Sequence, residues 1–152
     1  MALIRRYLDD GDRHFLHDVL GASDADDIIL WVDWREDEVD IVTMCEGILR
    51  TGALSACYRP NDISADLEIA YRGKMSIVRY PDGVADRDTT LLALNAALAP
   101  DFEIRYCVDS DGSDTAALLP LRGEQWAILE ADAPEQVGRL FRPLSIESPL
   151  FT

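Results

Sequence analysis

The side chains best suited to catalysis or metal binding are few in this chain and widely separated. His14 and His17 are the only histidines, and two ligands spaced i, i+3 on a predicted helix do not make a zinc site. No serine or cysteine lies in a nucleophile elbow such as GxSxG, and no glycine-rich phosphate loop is present. Among twenty-nine acids, nothing selects one pair for acid–base catalysis. We therefore expect no enzymatic activity, no catalytic residues, no cofactor and no metal.

The segment DSDGSD, residues 109–114, has the clustered oxygens that hard cations prefer. It departs from an EF-hand loop, because its glycine is at the fourth position and its twelfth residue is Pro120, which has no carboxylate. Asp, Ser and Gly at this density are typical of a hairpin turn. A recognition loop is the alternative, with Asp109, Asp111 and Asp114 as candidate partner-binding residues.

The acidic residues are concentrated near the start of the chain. The net charge is −15, and residues 9–40 contain twelve acids against two bases. A field of this sign repels nucleic acid and anionic lipid, whose binding depends on cations that neutralise phosphate. It attracts basic protein surfaces and speeds encounter with them. The charge therefore predicts a basic protein partner, with no nucleic acid and no membrane.

The densest charged segment begins at residue 33. Asp33 is predicted to cap a helix running from about residue 34 to residue 50, with Glu36 at the capping-box position. One interpretation is a well-capped helix start with a solvated face. The other is an acidic docking surface in which Trp34 is an aromatic anchor. Under the second interpretation, the candidate partner-binding residues are Asp33, Trp34, Glu36, Asp37, Glu38 and Asp40, with Asp37 and Glu38 pointing outward.

Length and composition predict one domain, residues 1–152, without disulfides. The chain has 152 residues and a hydrophobic fraction of 48%, enough for a single core. Cys45, Cys57 and Cys107 are widely spaced without a CxxC motif, which indicates three buried thiols in a reducing cytosol. No apolar run follows the first arginines, so we expect a cytoplasmic protein.

Periodicity predicts an α+β fold, a mainly antiparallel sheet with helices packed on it. The runs 66–72 and 102–108 alternate strictly between apolar and polar residues, and we expect them to pair antiparallel with 75–80 and 115–121. Residues 28–32 form an apolar run typical of a buried strand. Helices are predicted at 12–20 and 34–50, after Asp86 or Asp88, at 124–130, and from Pro134 to about Phe141. Hairpins outnumber crossovers in this order, which is characteristic of α+β domains.

From Thr51 onward, the order of three strands, helix, two strands and helix resembles the secretion-chaperone-like α+β fold. The helix at residues 89–98 and the strand pair that ends at Pro120-Leu121 carry most of this resemblance, and the helix at 34–50 would be the first helix of that fold. The resemblance implies a small, acidic, cytosolic, non-enzymatic protein that binds an effector.

The chain as a whole also resembles the immunity proteins of bacterial toxin systems, which are small, acidic and cytosolic, with a loose echo in DIILWVDW and IRYCVDSDGSD. The leading hypothesis is a non-enzymatic inhibitor that neutralises a cognate toxin by covering a basic, nuclease-like active site. The alternative is a cytosolic chaperone for a secreted effector. A small metal-dependent enzyme comes third.

Overall fold

A computed structural model describes residues 28–151 together with Ile4, Arg5 and Leu8. The predicted helix at 12–20, with His14 and His17, lies outside the described residues. The elements in chain order are β1 (Leu30–Asp33), α1 (Glu38–Leu49), β2 (Leu54–Pro60), β3 (Ala65–Tyr71), β4 (Lys74–Val78), α2 (Arg87–Leu98), β5 (Phe102–Cys107), β6 (Thr115–Arg122), α3 (Gly123–Asp132), α4 (Pro134–Leu140) and β7 (Phe141–Pro143). A short 3-10 turn at Val108–Ser110 follows β5.

The strands form two antiparallel sheets, which confirms the α+β class. The four-stranded sheet has the order β1-β6-β5-β7, and the three-stranded sheet has the order β2-β3-β4. Both predicted hairpins are confirmed, since Leu67 pairs with Val78 and Ile104 pairs with Pro120. None of the helices in the described part of the chain is long and apolar enough to cross a membrane.

Two hydrophobic cores lie on the two faces of the four-stranded sheet. On one face, Leu118 and Ile104 belong to a core shared with α1, α2 and the inner face of the three-stranded sheet. On the other face, Leu119 and Leu121 belong to a core shared with α3 and α4. Alternate residues of β6 therefore enter different cores, which explains why nearly the whole strand is apolar.

The β3–β4 hairpin turns one residue earlier than predicted. Tyr71 pairs with Lys74, so the two-residue loop is Arg72-Gly73 rather than Gly73-Lys74. Both loop residues have positive φ, 51° at Arg72 and 80° at Gly73, as a type I′ turn requires. The turn therefore places an arginine in a backbone conformation that usually belongs to glycine or asparagine.

The predicted start of helix α1, at about residue 34 with Asp33 as its cap, was wrong. Helix α1 begins at Glu38, and its N-cap is Asp37, whose carboxylate accepts hydrogen bonds from the backbone N–H groups of Val39 and Asp40. Asp33 is instead the last residue of β1, paired with Thr115. Strand pairing thus holds Asp33 in extended structure, and four more residues are needed before the helix starts.

One smaller prediction also needs correction. Cys57 is exposed on β2, whereas Cys45 and Cys107 are buried as expected. Pro120 lies two residues before the end of β6, an interior strand. Proline is tolerated there because the pairing of β6 with β1 extends only from Leu118 to Thr115 within the described residues.

Candidate protein-binding surface

The register of β1 against β6 brings the two acidic segments chosen from the sequence to one end of the four-stranded sheet. Asp33 is opposite Thr115, and Thr115 directly follows the turn that ends at Asp114. Residues 33–40 and 109–114 are therefore neighbours, although 68 residues separate the two segments in the chain. We call these two segments together the acidic end.

A tight turn joins β1 to α1 within the acidic end. The backbone N–H of Glu36 donates to the carbonyl of Asp33 at 3.0 Å, and the N–H of Arg35 donates to the Asp33 carboxylate at 2.8 Å. This turn leaves Trp34 51% exposed, while Trp31 is half-buried and Trp126 is buried. The guanidinium carbon of Arg35 lies 4.5 Å from the Trp34 ring centroid, in a cation–π contact.

A buried ion pair fixes this turn to helix α2. Glu38 is 5% exposed, and its carboxylate accepts a hydrogen bond from Arg87 Nη2 at 2.6 Å. The other terminal nitrogen of Arg87 donates to the carbonyl of Trp34. The prediction that Glu38 points outward was therefore wrong, because its carboxylate faces the first residue of α2.

Tyr58 on β2 completes the network beneath the acidic end. Its hydroxyl lies 2.8 Å from an Asp37 carboxylate oxygen and 3.2 Å from a Glu38 carboxylate oxygen. Partial burial of this hydroxyl and its hydrogen bonds to the two carboxylates raise the pKa of Tyr58. Tyr58 therefore stays protonated and donates one hydrogen to the two carboxylates.

The 109–114 turn is anchored by its one buried side chain. The hydroxyl of Ser110 donates to the carbonyl of Cys107 at 2.8 Å and accepts from the N–H of Ala117 at 3.1 Å. Asp111 accepts a hydrogen bond from the hydroxyl of Tyr106 at 3.2 Å. The remainder of the turn is exposed, as expected of a polar hairpin connection.

The nine candidate residues thus have three different structural settings. Glu38 is buried and paired, while Asp33 and Asp37 are engaged in turn and cap hydrogen bonds. The carboxylates of Asp40 and Asp114 form no ion pair or hydrogen bond with another described residue. The exposed members of the set are Trp34, Asp37, Asp40, Asp109, Asp111 and Asp114, and Asp33 and Glu36 are half-exposed.

Arg87 and Tyr58 were missed by sequence reasoning, although Arg87 left a signal. It is the first residue of a helix capped by Asp86, where the helix dipole disfavours a cation. An arginine at that position suggests an anion from another part of the chain that offsets the unfavourable interaction with the helix dipole. In the structure this anion is Glu38. Tyr58 left no comparable signal.

The carboxylates of the acidic end do not converge on a point. Among the residues that the structure describes, no three His, Cys, Asp or Glu side chains are close enough to hold a metal ion together. The exposed acids are instead distributed over two neighbouring segments, an arrangement suited to contact with an extended surface.

Comparisons with protein-family models, with curated proteins and with solved structures find no match to this chain.

Proposed function

We propose that this protein is a non-enzymatic inhibitor that neutralises a cognate bacterial toxin in the cytoplasm by covering a basic, nuclease-like active site with its acidic end. The observation that carries the proposal is the Asp33–Thr115 pairing, which makes the two acidic segments neighbours at the end of the sheet where Trp34 is exposed. An aromatic anchor surrounded by charged side chains is the usual composition of a protein-binding hot spot and its rim.

Each part of the acidic end has its own role in the proposed complex. The exposed acids Asp40 and Asp114 attract the basic cleft over long range and accelerate association. Trp34 supplies contact area that slows dissociation. Its ring is presented by a turn held through Arg87 and Asp33, so little conformational freedom is lost on binding.

A kinetic comparison of charge-reversal variants tests the role of the acids. The partner in the assay is a purified candidate toxin with a basic active site, and binding is followed by stopped-flow fluorescence at low and high salt. Asp114→Lys is expected to slow association about fivefold at low salt and much less at high salt. Glu124→Lys is the matched control, since it makes the same change of charge at the far end of β6, about 25 Å away. Equal slowing by both variants would show that only the net charge matters and would contradict the proposal.

Trp34→Ala tests the anchor separately. Loss of a central aromatic contact costs about 2 kcal/mol, which corresponds to roughly thirtyfold faster dissociation. Association should change little, because the variant leaves every charge in place. A dissociation rate equal to that of the unmodified protein would remove Trp34 from the interface.

The edge of the three-stranded sheet favours a second candidate, a cytosolic chaperone for a secreted effector. Among the described strands, β4 has a neighbour on one side only, and its Met75 and Ile77 are exposed. An open strand with apolar side chains suits the addition of an extended peptide segment. A chaperone would bind the effector without inhibiting a folded enzyme, so an inhibition assay with the purified toxin separates the two candidates.

A further inference from the structure

Three arginines line one pocket at the end of the protein opposite the acidic end. Arg50 follows helix α1, Arg72 lies in the β3–β4 turn, and Arg122 is the last residue of β6. Together with Thr51 and Asp101 they line an open pocket of about 280 Å³. This grouping is unexpected in a chain with twice as many acids as bases.

Asp101 is the one carboxylate among the residues that line this pocket, and a second carboxylate, that of Glu46, accepts a hydrogen bond from the lining residue Thr51. Asp101 accepts hydrogen bonds from the hydroxyl of Tyr71 at 2.7 Å and from Arg72 Nη1 at 2.6 Å. Neither the Arg50 nor the Arg122 guanidinium forms an ion pair with another described residue. Arg122 stacks over Phe102, with 5.2 Å between its guanidinium carbon and the ring centroid. Two of the three guanidinium groups are therefore available to an anion.

The backbone at two of these positions is left-handed. Arg50 has φ of 52° as the C-cap of α1, and Arg72 has φ of 51° in the type I′ turn. Glycine adopts this conformation without steric cost, whereas other residues in it are strained. Both of these residues are arginines, and both line the same pocket.

We propose that this pocket binds the phosphate group of a small organic phosphate. Guanidinium groups bind phosphate oxygens through paired, charge-assisted hydrogen bonds, which lysine cannot reproduce with the same geometry. A groove of about 580 Å³ between β4 and α2 borders the pocket and shares Tyr71, Arg72 and Asp101 with it. The groove has room for the organic part of the ligand. A long polyanion is disfavoured, because the net charge of −15 repels it. This site is independent of the proposed toxin complex.

Isothermal titration calorimetry with two probes, inorganic phosphate and adenosine 5′-monophosphate, tests the proposal at an ionic strength held constant with chloride. Adenosine 5′-monophosphate is expected to bind saturably with Kd of about 1 mM or tighter. Its binding should be tighter than that of inorganic phosphate, because the groove contacts the organic part. Equal affinity for the two probes would overturn the organic-phosphate assignment, and no saturable binding of either below about 10 mM would overturn the site itself.

Two variants identify the pocket as the site of binding. Arg50→Gly relieves the left-handed strain, and Arg122→Gln removes one charge. Each is expected to weaken binding at least about fivefold, with the melting temperature of Arg50→Gly not lowered. Arg139→Gln removes the same charge from the exposed end of α4 and is the control. Weakening of similar size in Arg139→Gln and Arg122→Gln would contradict the assignment.

Discussion

Replacing Glu38 by glutamine is expected to destabilise the protein more than any neutralisation of an exposed acid in the same segment. Glutamine keeps the volume of the side chain and can still accept the hydrogen bond of Tyr58. It removes the charge opposite Arg87, whose side chain is 19% exposed. The variant therefore isolates the contribution of the buried ion pair.

The magnitude follows from the burial of the two partners. Removing one member of a buried ion pair costs about 3–5 kcal/mol, because the other charge remains buried without compensation. Arg87 keeps its hydrogen bonds to the carbonyls of Trp34 and Ala85, and its side chain retains some contact with water. We therefore expect the free energy of unfolding to fall by about 2–3 kcal/mol, toward the lower limit for such pairs.

Urea denaturation followed by circular dichroism measures this loss. For a typical m-value of about 2 kcal/mol/M, the midpoint of Glu38→Gln should fall by roughly 1 M with an unchanged slope. The control is Asp40→Asn, which neutralises an exposed acid in the same helical turn and should change stability by less than about 0.5 kcal/mol. If the two variants have the same midpoint, the pair does not stabilise the fold and the derivation from burial is refuted.

Three further predictions concern other parts of the fold. Hydrogen bonds from Tyr71 and Arg72 hold the pKa of Asp101 below its usual value, so its contribution to stability should be full above about pH 5 and should vanish as pH falls through the native pKa. Acid unfolding of Asp101→Asn, compared with the unmodified chain, checks this. Burial raises the pKa of Cys45 to about 12, so Ellman's reagent at pH 8 should modify the exposed Cys57 alone in the native protein and all three cysteines after denaturation. Gly47→Ala should stabilise helix α1 by about 0.5–1 kcal/mol in urea denaturation, because alanine has the higher helix propensity and no atom beyond the adjacent helix backbone lies within 4 Å of the added methyl group.

Much of the local structure could be predicted because its determinants are adjacent in the chain. The strict alternation at 102–108 identifies β5, and Asp86 caps α2 by accepting a hydrogen bond from the N–H of Thr89. Pro134 occupies the first turn of α4, where its missing N–H has no cost. In each case the determinant is an apolar–polar alternation, a capping side chain or a proline that lies within the element or next to it. The sequence alone therefore determines the element.

The candidate surface required the tertiary structure, because its parts meet through pairing between distant segments. Charge density selected residues 33–40 and the run of Asp, Ser and Gly selected residues 109–114, but only the β1–β6 register makes the two segments neighbours. The helix cap is Asp37 and not Asp33, because a turn closed by the N–H of Glu36 on the carbonyl of Asp33 follows the strand. Local capping rules give both acids nearly equal preference, and this turn decides between them.

The orientation of the Glu38 side chain and the grouping of arginines at the Arg50 pocket likewise depend on how the elements pack against one another. An acid in the first turn of a helix is favourable whether it faces water or a cation, so its position in the chain leaves its orientation open. The docking of α2 against this turn supplied Arg87 and buried the carboxylate. The sequence by itself therefore determined the composition, the elements and the excess of acid. The tertiary structure decided which charges face a partner and which face each other, because those distances depend on residues far apart in the chain.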